Sequence, residues 1–169
     1  FFKQSGLQSR WLILLFCIKV LAGVAYAAFY LQPAYYELSD TWRYYHLSIS
    51  ETNWLLADPW GFCKDLFLHG YQESGNLFSG HNSYWNDLKS NLIIKLMAVC
   101  NVLTWSNYYG DLVIFNFLFF FGPVALYRVA RALLNTEVVL SVIAIFLVPS
   151  FLFWCSGLHK DGLIFLGLA

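Results

Sequence analysis

The chain has 169 residues, of which 59% are hydrophobic, 20% aromatic and only 12% charged, and its ten basic side chains balance its ten acidic ones. A soluble domain carries about 25% charged residues, and a globule of this size cannot enclose so much apolar surface, so a bilayer is the natural solvent. Zero net charge removes the bulk electrostatic case for a nucleic-acid partner.

The first apolar run is Trp11 to Leu31. At 1.5 Å per residue it covers about 31 Å, enough for a hydrocarbon core of about 30 Å. Lys3 and Arg10 precede it, and Glu37 and Asp40 follow it. The positive-inside tendency therefore places the N-terminus in the cytoplasm. The run is too long for a signal peptide, and no small-x-small cleavage site leads into a soluble sequence.

An outer loop is expected over residues 32–111. Between Gln32 and Asn91 it carries seven acidic side chains against Arg43, Lys64 and Lys89. It is rich in Trp and Tyr, rings that favour a membrane–water interface. Within it, Asp87, Asn91, Lys95 and Asn101 recur at near-helical spacing beside Leu92, Ile93, Leu96 and Met97. That pattern predicts an amphipathic helix over about 87–105, lying in the interface.

The second span is expected over Leu112 to Tyr127, with a kink at Gly122-Pro123 and a cytoplasmic return marked by Arg128 and Arg131. A tight connection leads to a third span, Val138 to Trp154, and a fourth begins at Leu163. The fold class is thus all-α: a polytopic helical membrane protein with a long outer loop containing interfacial helices. The closing apolar run is shorter than a crossing requires, and the first residue is Phe1, so a fragment of a longer multi-span chain is expected.

Four cysteines, Cys17, Cys63, Cys100 and Cys155, form no C-x-x-C pair, and the histidines at 46, 69, 81 and 159 lack ligand spacing. Neither a disulfide framework nor a zinc site is indicated. The stretch "ESGNLFSG" lacks the G-K-[ST] ending of a phosphate loop.

The residues able to carry chemistry fall beyond the outer ends of spans. Asp40, in "SDTWRYYHLS", is able to accept a proton from a hydroxyl nucleophile or to ligate a divalent cation. The competing reading is structural: Ser39 or Asp40 caps a helix. Arg43, His46, Lys89, Lys95, His159 and Lys160 are the cationic candidates for a lipid phosphate, with Asp161 beside them. For Lys89, Lys95 and Lys160 an interfacial anchor is the alternative. Lys19, inside the first run, either snorkels to the inner interface or has a partner.

This order of parts resembles the N-terminal part of polytopic glycosyltransferases with the GT-C fold, which take sugars from polyprenyl- or dolichyl-phosphate carriers. "ELSDTWRYYHLS" stands where that family has its first-loop acid, and "PSFLFWCSGLHKDGLIF" where it has its second outer loop. The family's first-loop motif is often a pair of acids; here Asp40 has only Glu37, three residues earlier. The resemblance implies Asp40 as catalytic base, with Arg43, His46, Lys95, His159, Lys160 and Asp161 binding a polyprenyl-phosphate-linked sugar. It also implies a bacterial inner-membrane location, contact with membrane lipid and further membrane subunits. A divalent cation is left open as cofactor.

Three rivals stand beside it. An exopolysaccharide or O-antigen polymerase would use outer arginines, of which Arg43 is the one available. A non-enzymatic subunit of an envelope complex would use the aromatic loop as a contact surface. A transporter would place its site at mid-bilayer on broken helices.

Overall fold

The computed structural model describes residues 1–68, 84–134 and 137–169. His69, His81, the Gly/Ser stretch and the Asn135-Thr136 connection lie outside the described residues. Among the described residues every regular element is helical. After a 3₁₀ turn at Phe2–Ser5 come α1 (Ser9–Phe29), α2 (Pro33–Tyr36), α3 (Asp40–Ala57), α4 (Pro59–Leu68) and α5 (Tyr84–Thr104). They are followed by α6 (Tyr108–Leu134), α7 (Val138–Phe146), α8 (Pro149–Trp154) and α9 (Lys160–Leu168). The chain divides into two compact units, residues 1–38 with 112–169, and residues 39–111.

In the first unit, α1 has the length and composition to cross a membrane, as does the Tyr108–Leu133 stretch of α6. The two helices are antiparallel. Gly23 meets Leu112 and Asn116, and Phe16 meets Phe117 and Phe120. Leu7, Leu12 and Leu15 form a core with Phe120, Val124, Tyr127 and Phe146 of α7. α6 runs unbroken past Pro123, Arg128 and Arg131, further than the expected apolar stretch.

The segment Val138–Trp154, expected as one crossing, is instead two short helices. Pro149 is the cause. It has no N–H to continue a helix, and it biases the preceding residue towards extended backbone. Val148 accordingly sits at φ −62°, ψ 116°, and Pro149 starts α8. A buried turn then leads to α9, which packs Gly162 on Phe119 and Phe165 beside Gly122 of α6.

The second unit is a three-helix cluster of α3, α4 and α5 with the first turn of α6. Ser39 caps α3 by accepting from the Trp42 N–H at 3.3 Å, and Asp40 in the first turn complements the helix dipole. Asp58 ends α3, and its carboxylate accepts from the Gly61 N–H at the start of α4. Ile93 and Met97 of α5 are fully buried, each worth about 1.5–3 kcal/mol of transfer free energy. Beside them Asn101 donates to Ser48 Oγ at 2.8 Å and to Thr52 Oγ1 at 3.0 Å. Trp105 and Ser106, at φ 54° and 55°, turn the corner into α6, and the Ser106 N–H closes back on the Asn101 carbonyl.

Candidate functional site

α3 carries three of the sequence candidates. Residues three or four apart lie next to one another on a helix. Asp40, Arg43 and His46 therefore ascend one side of α3, while Thr41, Trp42, Tyr44 and Ser48 are buried on the other. Arg43 and His46 are exposed and Asp40 is half-buried. The cap that Asp40 was an alternative for is supplied by Ser39. The buried side of α3 fixes this row: Trp42 stacks on Tyr108 at 4.1 Å between centroids, and Thr41 shares a 2.8 Å hydrogen bond with the Tyr108 hydroxyl.

Lys95 departs from the expectation of a phosphate ligand. Its side chain is 5% exposed, and its ammonium lies 2.9 Å from Glu51 and 3.0 Å from Asp65. It also sits over the rings of Trp54 and Phe62, at 4.7 Å and 4.0 Å from their centroids. One cation thus ties α3, α4 and α5 together, and its charge is spent there.

His159, Lys160 and Asp161 are brought together at the start of α9. In the turn before them Ser156, Gly157 and Leu158 are buried, as is His159 itself. His159 packs its ring 5.2 Å from Tyr26 and caps α9 by accepting from the Asp161 N–H at 3.3 Å. Lys160 is half-buried and Asp161 exposed.

Two polar clusters lie outside the candidate set. Lys19, midway along α1 and 4% exposed, donates to the Cys155 carbonyl and, at 3.2 Å, to Ser156 Oγ. Asn116 donates to the Ser156 carbonyl at 2.9 Å, and its own Oδ1 is buried without a partner among the described residues. A lysine in the middle of an apolar run was the available signal. The other cluster is Asp111, fully buried, with one oxygen accepting from Thr104 at 2.6 Å and the other without a partner among the described residues. It stands directly before an apolar run, where a carboxylate reads as a boundary residue.

Among the described residues no three His, Cys, Asp or Glu side chains converge as a metal set. The class these observations define is a helical protein with two helices able to span a membrane. No family model, curated protein or solved structure matches the chain.

Proposed function

We propose that the chain is the membrane-embedded N-terminal part of a polytopic glycosyltransferase that takes a sugar from a polyprenyl-phosphate carrier on the outer face. The carrying observation is the row on α3: a carboxylate released from capping duty by Ser39, with a guanidinium one turn further along and an imidazole beyond it. In the reaction, Asp40 accepts the proton of the acceptor hydroxyl. That oxygen forms a bond to the anomeric carbon. The bond from that carbon to the carrier phosphate breaks, and the electron pair leaves with the phosphate. Arg43 grips the phosphate bidentately and His46 adds a second donor. A single displacement inverts the anomeric centre. Phosphate is a good leaving group, so the chain needs no strong general acid.

Asp40→Asn is expected to lower transfer by about 10²–10⁴-fold, measured with a short polyprenyl-phosphate sugar and the full chain in vesicles. Arg43→Gln is expected to weaken carrier binding more than turnover. Undiminished turnover in Asp40→Asn with unchanged helicity removes Asp40 from the base role.

A second reading is favoured by a separate observation. The turn between α8 and α9, the buried Lys19 ammonium and Asn116 form a polar knot within the first unit, and the α7–α8 segment before it is broken at Pro149. Discontinuous helices around one deep ionisable residue suit a translocation site. Under that reading Lys19→Met abolishes solute flux while Asp40→Asn leaves it intact.

A further inference from the structure

Three basic residues, Arg10, Arg128 and Arg131, belong to one end of the antiparallel α1–α6 pair. At that end two cavities flank the short Phe2–Ser5 turn. The first is an apolar groove of about 310 Å³ bounded by Phe2, Leu12, Ile13, Phe16, Phe117 and Phe120. The second is a cavity of about 550 Å³ whose wall includes Ser5, Gly6, Arg128, Arg131 and the Phe1 ring. Phe1 and Phe2 both pack on Phe121, at 5.4 Å and 4.8 Å, so a cluster of rings forms the partition between the two.

We propose that the two cavities together bind one anionic glycerophospholipid, its phosphate against Arg128 and Arg131 and one acyl chain in the Phe16–Phe117–Phe120 groove. Charge is the first argument: two guanidinium groups and a hydroxyl line the larger cavity, and among the described residues no acidic side chain lines either one. Geometry is the second. Arg128 lies 5.1 Å from the Phe1 ring centroid. That contact steadies the plane by cation–π attraction and leaves N–H edges for a phosphate fork. The third is amphiphilicity. A free phosphate uses the arginine cavity and ignores the groove, and an uncharged apolar ligand does the reverse, whereas a phospholipid uses both. Basic pockets between membrane helices on the cytoplasmic side are where anionic headgroups are held. The inference rests on the membrane reading of α1 and α6, and is independent of any transferase chemistry.

The test uses the full chain. Carbonate extraction comes first: release of the chain into the supernatant defeats the membrane reading and the lipid site with it. The chain retained in the membrane is then purified in neutral detergent and offered phosphatidylglycerol or phosphatidylcholine of equal acyl composition. Bound lipid is counted by native mass spectrometry. Phosphatidylglycerol is expected to be retained over phosphatidylcholine by on the order of tenfold. R128Q/R131Q brings the two lipids to parity, R128K/R131K keeps most of the preference, and Ile13→Trp, which fills the groove from an exposed position, lowers retention of both. Equal retention by the unaltered chain overturns the proposal, as does a preference that survives in R128Q/R131Q. Displacement of phosphatidylglycerol by a lower concentration of polyprenyl phosphate, or by inorganic phosphate at matching concentration, also overturns it. The first would make the site a carrier site and the second a simple anion site.

Discussion

Lys95 and Lys19 are buried to nearly the same degree, at 5% and 4% exposure, in different units of the chain. Lys95 meets two carboxylates and two aromatic rings. Lys19 meets a backbone carbonyl and a hydroxyl. The surroundings differ in the same way. The second unit is knit by hydroxyl and amide ladders through Ser48, Thr52 and Asn101. In the first, glycines allow close approach: Gly23 sits on the Ser156 carbonyl, Gly157 on Tyr26 and Gly162 on Phe119. Its outer positions include aliphatic side chains at Ile13, Leu14, Leu21, Val139 and Leu140. Small residues at contacts and apolar residues facing out suit helices packed in lipid. Charged clasps suit helices that form a core beside water. On the membrane reading of α1 and α6, the contrast is that of one chain of helices built for two solvents.

The largest expected effect breaks that contrast at its centre. Lys95→Met takes the shared ammonium away from Glu51 and Asp65, which are only 22% and 12% exposed. Removing one side of a buried ion cluster costs about 3–5 kcal/mol, and thermal unfolding followed by circular dichroism should show it. Replacing all three, Lys95→Met with Glu51→Met and Asp65→Leu, should recover most of the loss, because no charge is then left buried. Lys19→Met strands no carboxylate, and Ser156 Oγ keeps its bond to the Leu152 carbonyl. The expected cost is about 1 kcal/mol or less. Equal losses in the two single variants would erase the distinction between the units.

Gly23→Ala comes next. An added methyl at residue 23 would lie 2.5 Å from the Ser156 carbonyl oxygen, with Asn116 Nδ2 at 3.0 Å. Backbone cannot yield as a side chain does, so α1 and the turn before α9 must separate, at about 1–3 kcal/mol. Gly167→Ala is the control. Nothing lies within 4 Å of its added methyl, and alanine is the better helix former by about 1 kcal/mol. Opposite signs for the two changes are expected in the same unfolding assay.

The helical class was legible because apolar runs and helical periodicity are properties of the sequence itself, and α1 and α5 follow the runs that announced them. The division of 138–154 was less visible. Its composition reads as one crossing, and the single proline that breaks it acts through a missing N–H rather than through polarity. Site residues followed the same logic. Asp40, Arg43 and His46 share a helix side because their spacing dictates it. Lys95 could not be told from an anchor, since its partners Glu51 and Asp65 are 44 and 30 residues away in sequence. The Lys19–Ser156–Asn116 knot was hidden for the same reason. Polar side chains distant in sequence declare a shared site only once the backbone has folded.

Cysteines offer the finest test, since each unit has one exposed and one buried. Cys17 and Cys155 belong to the first unit, Cys63 and Cys100 to the second, and Cys17 and Cys63 are the exposed pair. Burial, then the nearby Asp111 carboxylate, push the Cys100 thiol up to about 11. At pH 8 roughly one Cys100 in a thousand is then thiolate, the reactive form, and raising the pH to 9 increases that share about tenfold. A water-soluble maleimide applied to vesicles should therefore modify Cys63 readily and Cys100 slowly, the latter quickening with pH. Cys17 is the deciding position. Its exposure on α1 is exposure to whatever surrounds that helix, and in lipid a thiol is out of reach of a water-soluble reagent. It should stay unmodified until the bilayer is dissolved by detergent. Labelling of Cys17 at the rate of Cys63 in intact vesicles would mean that both units face water, and the two-solvent reading would fall.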